Sequence, residues 1–215
     1  GLVGNTGLVT VTPGPVDAGS STVAVDYAGQ TVSSGSKVIS ITVTANDAAG
    51  NSIPGAAVTL AITGSSHSVN PVSGTTDASG KAIFTLSSTK AESKTITVTA
   101  NGTILAQTKL VTFFPDAASR LEIITQPSAS ATAGEVFAQQ PAVNIIDQFE
   151  NLISDDNASH VGAVAIGGSQ MLQGMATVTV SNGIAVFSTL SYTEAATLTL
   201  SFTTGSLAPV ASNSI

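Results

Sequence analysis

The feature that most constrains this chain is an internal repeat, because its second half resembles its first at an offset of about one hundred residues. The offset varies only between 99 and 103 residues, so insertions fall in loops. Repeats of solenoid proteins run about 20–50 residues. The longer period predicts an independently folding domain used twice. The recurring segments are Asp17-Ala18 and Asp116-Ala117, Gly35 and Gly134, Asp47–Ile53 and Asp147–Ile153, Ala82–Phe84 and Ala185–Phe187, and Thr95–Val98 and Thr197–Leu200.

Alternating apolar and hydroxyl side chains indicate that both halves are built of β-strands. Ser40–Thr44 and Thr95–Thr99 alternate strictly, and Ala176–Val180 and Thr197–Leu200 repeat the pattern in the second half. A period of two is typical of a strand with one buried face. We predict strands near residues 21–27, 37–46, 56–63, 66–70, 81–87, 94–100 and 103–112, and near 120–126, 136–146, 161–166, 174–180, 183–189, 196–203 and 206–214.

Turn-forming clusters separate these strands. Asn101-Gly102 and Asn182-Gly183 favour the positive φ angles of tight hairpins, so the strands on either side of each pair are expected to pair antiparallel. Seven short strands in each half, with regular turns, predict an all-β fold of two tandem antiparallel β-sandwiches. Six apolar residues are expected to fill the space between the sheets: Phe84, Phe187, Val43, Ile145, Val98 and Leu200.

Charge and composition exclude several kinds of partner. The net charge is −7, and six Lys plus Arg cannot supply the positive field that binding to nucleic acid requires. Cysteine is absent, which excludes disulfides and thiolate zinc sites. No stretch approaches the ~18 uninterrupted apolar residues of a membrane helix. We therefore expect neither nucleic-acid binding nor membrane insertion.

The sequence contains no motif for catalysis. Its histidines, His67 and His160, are accompanied by neither a serine nucleophile motif nor a carboxylate pair. Asp155-Asp156-Asn157, and Asp47 with Asn51, carry oxygen ligands, but calcium needs about 6–8 oxygens. Asp and Asn in such loops form turns by bonding their own backbone. We expect no catalytic residue, no metal site, no cofactor and no small-molecule substrate.

The first half carries several turn motifs in a fixed order. They are Asp47-Ala-Ala-Gly-Asn51, Pro54-Gly55, Asp77-Ala-Ser-Gly80 and the closing run Leu86–Ala100. Over roughly residues 20–113 this order resembles bacterial immunoglobulin-like domains of the invasin and intimin type. The resemblance implies immunoglobulin-like β-sandwiches without catalytic residues.

The second half is a weaker match to that family. Glu150 stands where the family has Gly, the Pro-Gly pair is missing, and Ser181-Asn182-Gly183 replaces the longer turn. Two such repeats imply a structural spacer or stalk in a large bacterial cell-surface or secreted protein, of the adhesin or S-layer type. Its location is then extracellular, and its partners are neighbouring immunoglobulin-like repeats or identical subunits.

The domain organisation follows from the repeat. We predict an N-terminal strand or linker over residues 1–15, one sandwich over 16–114 and a second over 115–215. The interdomain junction is Phe113, Phe114, Pro115 and Asp116. Short linkers that contain proline are stiff, so this junction is expected to limit bending.

The N-terminal segment allows two interpretations. Gly7, Leu8, Val9, Thr10 and Val11 alternate like a strand, yet they precede the first sandwich. They are either a remnant of a preceding repeat or local edge strand, or a donor strand that completes a neighbouring molecule by β-augmentation. In the second case residues 1–13 would make the chain a subunit of an extracellular filament.

Overall fold

The computed structural model of the protein describes residues 10–26, 31–32 and 37–215. The chain divides into two compact units, Gly1–Phe114 and Pro115–Ile215. Each unit consists of β-strands packed around a hydrophobic core of its own. Within the described ranges, no helix has the length and apolar character needed to cross a membrane.

Unit 1 is a sandwich of two sheets, one ordered β1-β3-β7-β5 and the other β2-β10-β8-β4-β6, with β9 paired to β8. The described strand pairs are antiparallel except β2 and β10, where Thr31 and Val32 run parallel to Phe113 and Phe114. The strands are β1 Thr22–Asp26, β2 Thr31–Val32, β3 Ile39–Thr44, β4 Ala57–Ile62, β5 His67–Asn70, β6 Ser73–Thr75, β7 Lys81–Ser88, β8 Ser93–Ala100, β9 Thr103–Ile104 and β10 Lys109–Phe114.

Unit 2 is a smaller sandwich of the same kind. One sheet is ordered β11-β12-β15 and the other β14-β13-β16-β17, with all its described strand pairs antiparallel. The strands are β11 Arg120–Thr125, β12 Ala142–Ile146, β13 His160–Ile166, β14 Thr177–Thr179, β15 Ile184–Val186, β16 Thr199–Thr203 and β17 Val210–Ala211.

Both cores are filled by the inward side chains of alternating strands. In unit 2 the rings of Phe187 and Phe202 lie 5.4 Å apart at 49°, a tilted arrangement that aromatic pairs favour. The expected core is confirmed for all six residues, each at most 2% exposed: Phe84, Phe187, Val43, Ile145, Val98 and Leu200.

Strand register confirms that the two halves repeat one structure. Val43 of β3 pairs with Ala82, and Val143 of β12 pairs with Ala185. The sequence match of Ala82–Phe84 with Ala185–Phe187 is therefore a match of equivalent strand positions. Gly35, which was matched with Gly134, lies outside the described residues.

The turns that precede these strands are equivalent as well. The carbonyl of Gly80 accepts a hydrogen bond from the Ala45 amide at 2.8 Å, and that of Gly183 accepts one from Ile145 at 2.9 Å. A Cβ atom on Gly183 would lie 2.6 Å from the Ile153 carbonyl oxygen. Glycine is therefore required at this turn by space as well as by conformation.

Several predicted strands are divided or shortened. The strand expected over 103–112 is interrupted between β9 and β10, because the Ala106 amide bonds to the Ala18 carbonyl at 3.0 Å. The strand expected over 136–146 begins only at β12, because the Gln140 side chain donates to the Phe137 and Leu190 carbonyls. The short strands β2 and β6 were not predicted. In unit 2, strands expected over 174–180, 183–189, 196–203 and 206–214 shorten to β14, β15, β16 and β17.

The first of the two expected hairpins is confirmed. Asn101 and Gly102 have φ angles of 45° and 81°. They connect β8 to β9, which pair antiparallel with Ala100 opposite Thr103. This is the geometry that the Asn-Gly pair predicts.

The second expected hairpin is confirmed only at its turn. Asn182 and Gly183 have φ angles of 49° and 80°, and Ser181 and Ile184 exchange backbone hydrogen bonds of 2.9 and 3.0 Å. Beyond that single bridge the flanking strands belong to different sheets, since β14 pairs with β13 and β15 with β12. The prediction that these strands pair along their length was wrong, because each is held by its own sheet.

Candidate functional site

In unit 1, the loop Asp47–Asn51 is organised by hydrogen bonds to the Asp47 carboxylate. This loop is here called the first anchor loop. The Oδ1 atom of Asp47 accepts hydrogen bonds from the amides of Ala49 and Asn51, at 3.0 and 2.8 Å. Its Oδ2 atom accepts from the Asn51 side-chain amide and from the Gly14 backbone amide, both at 2.9 Å. Because Gly14 precedes β1, the carboxylate ties the segment that leads into the sandwich to the loop after β3.

The second anchor loop, Asp147–Asn151, repeats this arrangement in unit 2. Asp147 Oδ1 accepts from the amides of Phe149 and Asn151, at 2.8 and 2.9 Å. Its Oδ2 accepts from the Asn151 side chain and from the Asp116 amide, both at 2.9 Å. Asp147 is fully buried. The same four contacts recur in unit 2, and one of them, from the Asp116 amide, anchors the first residues of this unit to its body.

The hydrogen bonds hold both aspartates in the charged form. The side-chain amide of Asn51, followed by the Gly14 and Asn51 backbone amides, lowers the pKa of Asp47 to about 2. Burial raises the pKa of Asp147, but the hydrogen bonds from Asn151 and Asp116 outweigh burial and bring it below its ordinary value. Each anchor loop therefore depends on an ionised carboxylate.

The two anchor loops differ at their fourth residue. Gly50 has a φ of 82°, and Glu150 at the equivalent position has a φ of 68°. This left-handed conformation costs an L residue with a side chain roughly 1–2 kcal/mol. The Glu150 carboxylate forms an exposed ion pair with Arg120 at 3.0 Å, although exposed pairs contribute little.

The structure distributes the four predicted junction residues between the two units. Phe113 is 1% exposed in the core of unit 1, and Phe114, the last residue of β10, is 38% exposed. Asp116 is bound in unit 2 through its amide, and its carboxylate accepts a hydrogen bond from Gln148 at 3.1 Å. Only Pro115 lies between the end of β10 and the anchored residue.

One sequence match at this position was wrong. Asp17 was matched with Asp116, but Gly14 makes the bond to Asp47 that Asp116 makes to Asp147. The equivalent offset here is 102 residues, and the longer turn Asp17–Ser21 in unit 1 absorbs the difference before β1. The shared Asp-Ala pair gave the wrong alignment. The equivalent position is the one whose backbone amide bonds to the anchor-loop aspartate, and residues of different types can supply that amide.

The interpretation of the acidic loops as turns is confirmed. Besides the anchor loops, Asp156 Oδ1 accepts from the amides of Ala158 and Ser159, at 3.0 and 2.9 Å. In the described part of the chain, no group of three or more His, Asp and Glu side chains is arranged to hold a metal ion. The two histidines, His67 and His160, lie in β5 and β13 of different units.

Most of the predicted donor strand lies outside the described residues, namely Gly7, Leu8 and Val9. Its last two residues, Thr10 and Val11, precede β1 and are exposed, with Val11 88% exposed.

Comparison with known proteins gives a family match for part of the chain and solved structures with a similar fold. Residues 20–114 match the family model of the bacterial Ig-like domain, group 1. No curated protein matches the chain significantly. Among solved structures, InvD of Yersinia pseudotuberculosis gives a TM-score of 0.51 at 20% identity, covering 96% of this chain and 71% of that one.

Two further solved structures cover most of the chain at lower TM-scores. The D0-D1 domain of intimin gives 0.39 at 20% identity, over 90% of this chain and 96% of that one. Invasin, a bacterial integrin-binding protein, gives 0.44 at 18% identity over 90% of this chain, which spans 38% of the invasin structure. Residues 20–114 therefore match the bacterial Ig-like domain family, group 1, and both units have an immunoglobulin-like sandwich fold.

Proposed function

We propose that the chain is a pair of structural spacer repeats from the stalk of a large bacterial cell-surface or secreted protein of the adhesin or S-layer type. The observation that carries this proposal is the repeated anchor loop. Each unit uses a buried or nearly buried Asp to hold the amide of the residue that enters it, Gly14 in unit 1 and Asp116 in unit 2.

The anchor loops limit how freely one repeat can turn on the next. Phe114 is the last strand residue of unit 1, and Asp116 is already bound in unit 2. The single residue between them, Pro115, has a φ angle fixed near −65°. A spacer of this kind works by geometry, since each repeat adds length and each short junction restricts bending.

A pulling experiment on single molecules tests the spacer proposal. The chain is held by its two ends and stretched. We expect two separate unfolding events, each releasing on the order of 330–360 Å of chain for about one hundred residues at 3.3–3.6 Å per residue. One cooperative event for both units, or unfolding at forces indistinguishable from the noise, would contradict a role in bearing tension.

We propose as a second candidate function that the chain is a filament subunit, assembled through residues 1–13. The exposure of Val11 supports this function, since an alternating strand-like segment with an uncovered apolar residue is suited to adding to another sheet. Sedimentation across a range of protein concentrations tests it, with growing species expected for a filament and a constant monomer for a spacer.

A further inference from the structure

The chain contains two Asn-Gly pairs, Asn101-Gly102 and Asn182-Gly183, and all four residues have positive φ angles in tight turns. In such a pair the backbone nitrogen of the glycine can attack the side-chain carbonyl carbon, Cγ, of the asparagine. Glycine hinders this attack least, because it has no Cβ atom and its backbone is the least restricted. The two pairs therefore have the same intrinsic chemistry, and their surroundings in the fold distinguish them.

In the first turn the glycine nitrogen is available for attack. Gly102 is exposed, and among the described residues no acceptor is hydrogen-bonded to its amide. A Cβ atom built on Gly102 would meet no other atom within 4 Å, so the space around this residue is open. No hydrogen bond has to break before the nitrogen approaches the Asn101 side chain.

The carbonyl group of the Asn101 side chain is polarised by a neighbouring strand. Its Oδ1 atom accepts a hydrogen bond from the amide of Ala57, the first residue of β4, at 2.8 Å. Negative charge develops on this oxygen when a nucleophile adds to Cγ. A backbone amide that already points at such an oxygen stabilises the developing charge. The Ala57 amide is therefore placed to favour attack at Asn101.

The second turn has the opposite arrangement. The Gly183 amide donates to the Asp156 carbonyl at 2.9 Å, and Gly183 is buried. The Gly183 carbonyl accepts from the Ile145 amide, also at 2.9 Å, so both backbone groups of this glycine are held by unit 2. Attack by the Gly183 nitrogen on Asn182 therefore requires that a buried hydrogen bond is lost first, which is unfavourable.

We propose that Asn101 is a site of spontaneous deamidation and isomerisation, and that the fold protects Asn182 from the same reaction. The Gly102 nitrogen bonds to Asn101 Cγ and closes a succinimide ring. The Cγ–Nδ2 bond breaks, and ammonia leaves with the proton that the Gly102 nitrogen has lost. Water is the only co-reactant, and no oxidation or reduction takes place.

Water then opens the ring at one of its two carbonyl carbons. Addition at Cγ breaks the bond from Cγ to the Gly102 nitrogen and leaves an aspartate at position 101. Addition at the backbone carbonyl carbon breaks the original peptide bond instead. The product is then an isoaspartate, in which the chain runs through the side chain. In both cases the Gly102 nitrogen regains a proton from the water.

The two products should affect the turn differently. An aspartate keeps an oxygen for the Ala57 amide and adds a negative charge. An isoaspartate adds a methylene to the backbone between Ala100 and Thr103, which are paired across the turn. Because hairpin geometry depends on loop length, we expect the isoaspartate form to lose hydrogen-exchange protection in β8 and β9 relative to the Asn101→Asp variant.

Incubation of the full chain in mildly alkaline buffer tests the proposal, with the chain unfolded in urea at the same pH as the reference. Peptide mass spectrometry follows the conversion of amide to carboxyl group at each asparagine. The ratio of the unfolded to the folded rate measures protection by the fold at that residue. We expect the protection of Asn182 to exceed that of Asn101 by roughly tenfold or more, because the Gly183 nitrogen must first lose a buried hydrogen bond.

Equal protection of the two asparagines, or stronger protection of Asn101, would overturn the proposal. So would an unchanged Asn101 in the folded chain after a period in which the unfolded chain has converted it completely. The folded and unfolded samples share one sequence, so a difference between their rates is an effect of structure and not of neighbouring residues.

A second readout detects the isoaspartate itself. An isoaspartyl methyltransferase transfers labelled methyl groups from S-adenosylmethionine to isoaspartate residues of the aged, folded chain. Asn101→Gln is the matched control, because it keeps an amide on a side chain that is one methylene longer and closes a ring less readily. We expect labelling of the aged chain to fall to background in this variant, and undiminished labelling would contradict the assignment to Asn101.

Discussion

At the scale of single residues, Asp147 accepts four hydrogen bonds in unit 2. Its carboxylate satisfies three backbone amides and one side-chain amide while fully buried. Asp147→Asn keeps the shape but places a donor against the Asp116 amide and the Asn151 side chain. We expect a loss of about 2–3 kcal/mol in the unfolding free energy of unit 2, because buried donors lose their acceptor.

Hydrogen exchange measured by mass spectrometry checks this prediction, since peptides report each unit separately. Asp155→Asn is the matched control, because Asp155 is exposed and lies in the same unit. Equal effects of the two substitutions, or a loss of protection confined to unit 1, would count against the anchor.

The anchor aspartates also predict a dependence of stability on pH. Their pKa values are lowered in the folded chain, to about 2 for Asp47, from an ordinary value of 3.8. A carboxylate whose pKa is lower in the folded chain than in the unfolded chain contributes its full stabilisation at pH values above the unfolded-state pKa. That contribution to folding stability is lost as the pH falls through the folded-state pKa. The free energy of unfolding measured in urea should therefore decrease as the pH falls from about 4 towards 2. In a variant with both Asp47→Asn and Asp147→Asn this part of the dependence should be missing.

The fourth residue of the first anchor loop supplies a backbone prediction. Gly50 has a φ of 82°, and a Cβ atom there would meet no other atom within 4 Å. Gly50→Glu, which copies the residue of unit 2, should therefore cost roughly 1–2 kcal/mol through conformation alone. Chemical denaturation measures the cost. Ala49→Glu, one residue earlier and exposed, should be close to neutral, and a similar cost for both would show that charge rather than backbone conformation is responsible.

The sequence reveals the anchor loops only in part. The repeat of Asp, three residues and Asn is visible as a pattern, and it predicts a turn. Its bond to Gly14 or Asp116 spans 33 or 31 residues and uses a backbone amide, so no local pattern marks it. Buried Lys94 was likewise missed, although it stands on the inward phase of β8. It is held there by Glu92 at 2.7 Å and the Ser65 carbonyl at 2.6 Å.

At the scale of strands, alternation located most elements but overestimated the lengths of several. A period of two requires only that one face be buried, whereas a strand also needs a neighbour with which to pair. The strand expected over 196–203 shows the difference. Its pattern continues to residue 196, but β16 begins only at Thr199, which pairs with Ile166 at the end of β13.

At the scale of the whole molecule, the two units are one fold used twice, and the repeat in the sequence was sufficient to predict this. The spacer proposal depends on how far the chain can bend at the junction between the units. There, the chain has one proline between a strand residue and an anchored residue, Phe114 and Asp116. We therefore predict that the second anchor loop restricts bending between two domains that fold separately.

Pulsed electron paramagnetic resonance tests this claim most directly. Spin labels at Thr59→Cys in unit 1 and Thr177→Cys in unit 2 use exposed positions in a chain without native cysteine. We predict a narrow distribution of distances between the labels, and a clearly broader one when Asp147→Asn is added and both units remain folded. A distribution that is already broad with Asp147 in place, or that is unchanged by the substitution, would contradict the proposal that the anchor loops hold the repeats in a semi-rigid array.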